Sequence, residues 1–330
     1  MISAFKYITA VILLIIGLVP DAECSEKVYE LKFNTVAGPQ QPQVKALNVF
    51  AEEVKRISEG KVKVQVFHSG QLGNQQTQIT GIMRGTIDMT FTTPNFMSRF
   101  DRKIGIFGAA YLFRDLEHMY SVMNGPIGIE YFNGIANSMG VRPLDVWYLG
   151  SRHLNLRDKA VSTPDDMKGV KLRMPNSPLW IAMGRALGAN PTPLGFGEVY
   201  MALKTGVVDG QDNPLPTNEA QKFYEVTKYM VLTGHQMGML WPSINERLWN
   251  EMPDQYRGWI LQALKVAREY QNDIVLRGET ELLRKFKDEY GMIIIEPDVD
   301  AFRKRAGYAY KEFEKDWGEG TYERIQNYKD

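Results

Sequence analysis

Three side chains suited to ligand binding fall within one stretch of the chain, residues 162–213. Arg173 is near the end of the predicted strand VKLRM, which Pro175 terminates because proline suits a strand end and not a central ladder. Asn213 follows a second short predicted strand, VVDGQ, and Phe196 lies in the loop between the two strands. Ligands of α/β folds bind outside the carboxyl ends of strands. A guanidinium there suits a carboxylate, because its planar fork is always charged and grips both oxygens.

Arg173 also has an ordinary structural explanation. Asp165 and Asp166 lie in the helical turn before its strand, so the arginine can form a surface ion pair with either. Most exposed pairs of this kind contribute little to stability. Spacing alone leaves both interpretations open.

The elements before this stretch indicate an α/β fold. Strands are predicted at 28–34, 61–67 and 87–93, and helices between them at 42–58 and 74–84. This alternation argues for a right-handed parallel arrangement.

The later part of the chain indicates a molecule in two parts, as a length of 330 residues also suggests. We predict one strand at 141–149, a stiff loop at 190–197, and two separate strands at 227–232 and 240–245 that suit a hinge crossing between domains. A helical pattern without interior proline then extends over 253–290 and spans roughly 55 Å at 1.5 Å per residue.

Several segments resemble the solute-binding proteins of tripartite ATP-independent periplasmic (TRAP) transporters, of the DctP type. They are MKGVKLRMPNSP, ALGANPTPLGFGEVYMALKTGVVDGQDNPL and QKFYEVTKY, preceded by GQLG and GTIDMTF. The resemblance covers nearly the whole chain after the first two dozen residues. It implies an α/β, two-lobed periplasmic-binding-protein-like (clam-shell) fold, with mixed β-sheets and a long helix spanning both lobes.

The resemblance also implies a division of the chain. Residues 1–24 are expected to be a signal peptide. Lobe I is expected to comprise 25–150 with about 241–275, and lobe II 151–240 with about 276–330.

The family's motifs suggest roles for individual residues. By resemblance, Arg173 grips the substrate carboxylate and Asn213 faces the substrate. Arg152, in a G-x-R pattern, is a second anion-binding candidate, or else supports the Arg173 pocket without touching the ligand. Phe196 is a candidate wall over the carboxylate and Trp241 a candidate face for a sugar ring, with burial in the core as the alternative for both.

The first lobe departs from the family pattern. Many members carry an acid and an arginine after QLG, where this chain has NQQ, and sialate-binding members have a glutamate where this chain has TTPN. These departures argue against sialic acid and leave neutral groups that suit hydroxyls. The candidates are Asn74, Gln75, Thr93 and Asn95, and the alternative for Gln75 is a solvated position on a helix.

One strong arginine implies one carboxylate. With the amides and aromatics, it favours a sugar acid such as a hexuronate, and a C4-dicarboxylate or a phosphorylated polyol that engages Arg152 is the alternative. The expected partners are this small organic acid and the membrane permease subunits of a TRAP transporter. No cofactor is expected.

Composition and targeting signals narrow the class further. Lys+Arg and Asp+Glu are both 39, so no basic footprint indicates nucleic acid. The first 24 residues carry a lysine and a thirteen-residue apolar run, too short for a membrane span of about 20 residues. We therefore expect a periplasmic protein that does not itself span the membrane. Cleavage after Cys24, the single cysteine, would exclude thiol chemistry, and the preceding DAE is a poor lipobox.

An enzyme is the competing class. The sequence contains no G-x-S-x-G, H-E-x-x-H, P-loop or G-x-G-x-x-G motif, and its four histidines lack a metal-binding spacing. We therefore predict a binding protein without catalytic activity, and a periplasmic enzyme stays an alternative.

Overall fold

The computed structural model describes residues 27–329, and the ten strands among them join into one mixed sheet. The predicted signal peptide lies outside the described residues. The sheet order is β2-β1-β3-β9-β5-β8-β6-β7, and β4 and β10 also pair with β9. The strands are β1 (Tyr29–Asn34), β2 (Val62–Phe67), β3 (Met89–Thr92), β4 (Val141–Pro143), β5 (Trp147–Leu156), β6 (Lys171–Met174), β7 (Asn190–Pro193), β8 (Gly210–Pro214), β9 (Tyr229–Asn245) and β10 (Ile293–Ile295).

Helices cover the sheet and connect its strands. They are α1 (Pro42–Ile57), α2 (Gln75–Arg84), α3 (Pro94–Met97), α4 (Leu116–Asn124), α5 (Pro126–Met139), α6 (Pro178–Ala186), α7 (Val199–Thr205), α8 (Leu215–Ala220), α9 (Glu246–Glu251), α10 (Asp254–Asp288), α11 (Val299–Tyr310), α12 (Glu314–Trp317) and α13 (Thr321–Gln326). Short 3-10 helices lie at Arg102–Gly108, Pro164–Met167, Phe196–Glu198, Phe223–Glu225 and Lys311–Phe313.

The first part of the sheet forms as its sequence pattern predicts. β1 runs parallel to both β2 and β3, with α1 and α2 as the connections. The alternation in β1 buries Leu31 and Phe33 against Leu47 and Phe50 of α1. Burial of these side chains, at about 1.5–3 kcal/mol each, holds the helix on the sheet.

β9 is one strand of 17 residues, so the prediction of two separate strands was wrong. Its first part pairs antiparallel with β5, and its last part with β3 and β4. Gly234 and Gly238 lower its strand propensity, and the pairing with β5 is irregular around Gly234, but β5 pairs with the chain on both sides of that irregularity, including at Gly238. β9 therefore runs from one lobe into the other without interruption.

Three further boundaries differ from the sequence prediction. The strand predicted at 141–149 is divided into β4 and β5, because each pairs with a different part of β9. The predicted loop at 190–197 begins with β7, an edge strand beside β6, where prolines are tolerated. β8 lies a few residues later than predicted and includes Asn213.

The long helix is confirmed as α10, with 35 residues. Its first half packs Tyr256 and Ile260 into the core with β1 and α1, and its second half packs Leu282 and Phe286 beside Met230 of β9. The helix thus contacts both lobes of the two-lobed α/β fold, which is confirmed. The exact lobe boundaries stay a prediction.

No helix within residues 27–329 combines the length and apolar character needed to cross a membrane.

Candidate ligand-binding site

The strand register brings three predicted residues to one place. β8 lies between β5 and β6, antiparallel to the first and parallel to the second. Arg152 of β5 is opposite Pro214, the neighbour of Asn213, and Arg173 of β6 is opposite Gln211. Both arginines and Asn213 therefore lie close together where β6 and β8 end.

These residues border a cavity of about 110 Å³. A water molecule needs about 10–15 Å³ of such volume, so the space accepts a small molecule and not only a single ion. Its lining comes from both halves of the strand order: from residues in or next to β1 and β3, and from residues of β5, β6 and β8. The lining residues are Thr35, Val36, Ala37, Gln41, Gln43, Gln75, Gln78, Ile79, Phe91, Thr93, Phe96, Leu149, Arg152, Arg173, Pro175, Trp180, Phe196, Asn213, Thr217 and Leu240.

Arg173 is a buried cation that lacks a close acidic partner. Its side chain is 1% exposed, and its Nε and Nη2 both donate to the carbonyl oxygen of Leu194, at 3.1 and 2.8 Å. No carboxylate among the described residues lies within 4.0 Å of it, so the surface pair with Asp165 or Asp166 does not form. Burial lowers the pKa of Arg173 to about 10, and Asp212 partly opposes this effect, so the group is charged at neutral pH.

Arg152 has the acidic partner that Arg173 lacks. Its Nε donates to Oδ2 of buried Asp212 at 2.7 Å, and its guanidinium lies 4.5 Å from the ring centroid of Trp180. His235 lies 3.1 Å from the same carboxylate oxygen. Burial alone would raise the pKa of Asp212, but Arg152 and His235 hold it well below its usual range. The charge of Arg152 is thus largely compensated within the protein.

Asn213 belongs to a network of buried amides. Its Nδ2 donates to Oε1 of Gln211, whose Nε2 donates to Asn155 and Asn218 at 3.0 and 2.9 Å. Asn218 in turn donates to the carbonyl of Asn213 at 3.2 Å. The network fixes the Asn213 side chain through its Nδ2. Its Oδ1 accepts no hydrogen bond from the described residues.

Six of the nine predicted residues border the cavity. Besides Arg173, Arg152 and Asn213, they are Phe196, Gln75 and Thr93. Phe196 opens the short 3-10 helix after β7, and Gln75 is the first residue of α2. The hydroxyl of Thr93 is buried and has no hydrogen-bond partner among the described residues.

Asn74, Asn95 and Trp241 lie outside the cavity lining, and their contact with a ligand stays a prediction. Asn74 is the exposed N-cap of α2, and its Oδ1 accepts from the amide of Thr77 at 3.0 Å. Asn95 is buried in α3, where its amide donates to the carbonyl of Gly108 at 3.3 Å. Trp241 is fully buried in the core, because the alternation of β9 turns the preceding Leu240 toward the cavity instead.

Several lining residues had no predicted role. Gln41 and Gln43 lie at the start of α1, and Trp180 lies in the first turn of α6. The side chains of all three are buried and contain a nitrogen or oxygen without a hydrogen-bond partner among the described residues: Gln41 Nε2, Gln43 Oε1 and Trp180 Nε1. Each unsatisfied group costs about 1–3 kcal/mol. The only sequence signal for Gln41 and Gln43 was two polar residues around a proline, just before an apolar helix pattern. The same pattern is typical of an exposed helix start.

Comparison with known proteins identifies the family of the chain. Residues 33–316 match the family described as "Bacterial extracellular solute-binding protein, family 7". The chain belongs to this family. Its members are periplasmic solute-binding proteins, and the solved structures include TRAP binding proteins. The family is one of substrate-binding transport proteins.

Three relatives illustrate the similarity. A solute-binding protein of Roseobacter denitrificans is 33% identical over 276 residues, 84% of each chain. Its structure with bound L-galactonate has a TM-score of 0.81, at 32% identity, and covers 87% of this chain and 94% of that one. A second TRAP binding protein of R. denitrificans, with bound 3-deoxy-D-manno-oct-2-ulosonic acid, has a TM-score of 0.86 at 35% identity and covers 91% and 99%. The sialic acid-binding periplasmic protein SiaP of Vibrio cholerae is 30% identical over 289 residues, 88% of this chain and 89% of that one.

The described residues contain no group of three or more His, Cys, Asp or Glu side chains arranged to hold a metal ion.

Proposed function

We propose that the protein is the periplasmic receptor of a TRAP transporter for a sugar acid of the hexuronate or hexonate type. Arg173 carries this proposal. Desolvating a cation is costly unless a charged partner compensates it, and the described residues supply no carboxylate within 4.0 Å of this guanidinium. A ligand carboxylate in the cavity is the natural partner, and Asn213 supplies an amide beside it.

The rest of the lining supports a neutral, hydroxyl-bearing remainder of the ligand. Apart from the two arginines, the lining side chains carry no charge. Arg152 is already paired with Asp212, so a second ligand carboxylate would have no free cation. The three relatives are described with L-galactonate, 3-deoxy-D-manno-oct-2-ulosonic acid and sialic acid, all acids with several hydroxyls. We place a C4-dicarboxylate or a phosphorylated polyol second.

The proposal includes delivery to a membrane permease. The ligand would contact residues of both lobes and so favour the closed form in proportion to its preference for that form. In this proposal the first 24 residues direct export and are cleaved, and the permease is a separate protein.

Thermal unfolding of the mature protein against acids tests the proposal. The panel contains hexuronates, hexonates, C4-dicarboxylates, sialate and glycerol phosphates, added to protein refolded from denaturant to remove bound ligand. A ligand at a hundred times its Kd adds about 2.7 kcal/mol, which raises Tm by several degrees. We expect a shift with a sugar acid. A shift only with a dicarboxylate or a phosphate would favour the second candidates.

The variant Arg173→Ala links the shift to the site. Loss of one partner of a buried charge pair costs about 2–5 kcal/mol, so affinity should fall roughly 30- to several thousand-fold. Arg185→Ala is the matched control, because Arg185 is exposed on α6 in the same lobe. Equal binding by the two variants would contradict the proposed role of Arg173.

A further inference from the structure

The side chains of Gln41 and Gln43 form a pair that leaves one donor and one acceptor unused. Nε2 of Gln43 donates to Oε1 of Gln41 at 2.5 Å. Nε2 of Gln41 and Oε1 of Gln43 are buried and have no partner among the described residues. The two side chains are only 1% and 6% exposed, and both border the cavity. Bulk water therefore does not satisfy these atoms.

The glutamine pair presents the same free groups, one donor and one acceptor, whichever way the amides are oriented. If both amide groups are rotated, Gln41 donates to Gln43, and the free groups become Oε1 of Gln41 and Nε2 of Gln43. One donor and one acceptor remain free in either arrangement. The pair therefore presents both hydrogen-bonding roles to a neighbour.

We propose that Gln41 and Gln43 select for a hydroxyl group of the ligand and against a second carboxylate. This inference rests on the proposed function and specifies its substrate class, a monocarboxylate with a hydroxyl remote from the carboxylate. A hydroxyl both donates and accepts, so one hydroxyl, or two on adjacent carbons, satisfies both free amide groups. An ionised carboxylate only accepts hydrogen bonds, so it leaves the free amide oxygen unpaired. Its negative charge is also repelled by the partial negative charge of that oxygen.

The positively charged side chains and the glutamine pair come from different parts of the fold. Arg173 and Arg152 come from β6 and β5, whereas the glutamine pair comes from the start of α1, on the opposite part of the sheet. Gln75 and Gln78, which also border the cavity, are uncharged as well. A dicarboxylate would therefore place its second charge among neutral amides, where no cation compensates it.

The double variant Gln41→Met/Gln43→Met tests the inference, because methionine has a similar length and no amide. Isothermal titration is performed with L-galactonate, or with the hexonate or hexuronate that binds the wild type best, and with hexanoate and adipate. We expect affinity for the hydroxy acid to fall about 10- to 100-fold. We expect Tm without ligand to stay equal or to rise, since two buried unpaired groups are removed. Affinity for hexanoate should rise relative to the wild type.

A matched control and a second measurement keep the test decisive. Gln40→Met lies in the same segment, but Gln40 is exposed and outside the cavity lining, so its variant should bind as the wild type does. The second measurement uses the wild type with deoxy analogues of the same acid. One deoxy position should lose affinity by the same factor as the double variant, and the double variant should no longer distinguish that analogue from the parent acid.

The outcomes separate this inference from the proposed function. If the wild type binds the sugar acid and the double variant binds it equally well, the selection by Gln41 and Gln43 is wrong and the proposed function stands. Equal affinity of the wild type for adipate and the hydroxy acid would also overturn the inference. If no sugar acid binds the wild type and Arg173→Ala changes nothing, the proposed function itself fails, and with it this inference.

Discussion

Arg152 and Asp212 form a buried ion pair at the edge of the cavity, with Nε and Oδ2 2.7 Å apart. The neighbouring cation, Arg173, donates hydrogen bonds only to the carbonyl of Leu194 among the described residues. Two arginines that look alike in sequence therefore differ in chemistry. One has its charge compensated by Asp212, and the other has no carboxylate within 4.0 Å among the described residues.

Asp212→Asn should destabilise the protein strongly. The substitution leaves the charge of Arg152 buried without its partner, and breaking a buried pair in this way costs about 3–5 kcal/mol. Chemical denaturation measures the change in the free energy of unfolding. The control is Arg102→Ala, which removes an exposed pair with Asp316 and should cost no more than about 1 kcal/mol. Similar losses for the two variants would show that the Asp212 pair is not desolvated in solution.

Stability should fall as the pH decreases below neutrality, because the buried His235 and the half-buried His153 are neutral in the folded protein. Burial lowers the pKa of His153 to about 3, and it lowers the pKa of His235 although Asp212 opposes this effect. An unfolded histidine binds a proton near pH 6.5. The unfolded state therefore binds more protons between about pH 6.5 and 3, and the free energy of unfolding falls through that range.

The variant His153→Gln measures how much of this pH dependence of stability comes from one histidine. At up to about 1.4 kcal/mol per pH unit, His153 accounts for about 2 kcal/mol of the loss between pH 7 and pH 5. Glutamine keeps an acceptor for the amide of Gly234, which His153 Nδ1 now accepts at 3.1 Å. Denaturation curves of the variant should show a flatter pH dependence in this range. An unchanged slope would mean that His153 is protonated in the folded protein.

Gly150→Ala should distort β5 just before Arg152. Gly150 has φ 117°, and an added Cβ would lie 2.7 Å from Cβ of Pro214. Strain of this kind costs about 1–3 kcal/mol, and the displaced strand should also weaken ligand binding. Gly258→Ala in α10 is the control, because nothing lies within 4 Å of its added Cβ, and it should stabilise the protein by about 0.5–1 kcal/mol. A neutral effect of Gly150→Ala on both Tm and affinity would contradict the prediction.

Asn95→Ala should affect stability and leave ligand selectivity unchanged. The Asn95 side chain joins Gly108 and Gln236 by hydrogen bonds of 3.3 and 3.2 Å and lies outside the cavity lining. Its loss leaves buried groups unpaired and should cost about 1–3 kcal/mol. Titration of the variant with a hydroxy acid and its deoxy analogue checks the second part. A changed ratio of the two affinities would place Asn95 in contact with the ligand after all.

The sequence predicts where strands end, but it does not predict which strands lie side by side or in which register. The sequence indicates that Arg173 ends one strand and that Asn213 follows another, because local pattern and proline positions define strand ends. It does not indicate that β8 lies beside β6, or that Arg173 is opposite Gln211. Pairing of strands distant in the chain depends on the whole core and not on either segment.

Side-chain direction explains why Trp241 lies in the core, which was the alternative to a ligand contact. Successive residues of a strand point to opposite faces, so a single step decides which one reaches the ligand. Leu240 borders the cavity, whereas Trp241 packs edge-on against Phe107 and Phe132. The sequence marks both as apolar strand residues and contains nothing that assigns the faces.

The sequence by itself determined the α/β class and the family, and it predicted the cavity positions of Arg173 and Asn213, because these depend on residue type, local periodicity and a motif in fixed order. Only the tertiary structure decided that Arg152 is paired and Arg173 is not, and that Gln41 and Gln43 are buried. Burial and charge compensation are properties of neighbours brought together by folding. Gln41 follows an exposed loop and looks like a solvated residue in the sequence, but in the folded protein it is buried at the cavity.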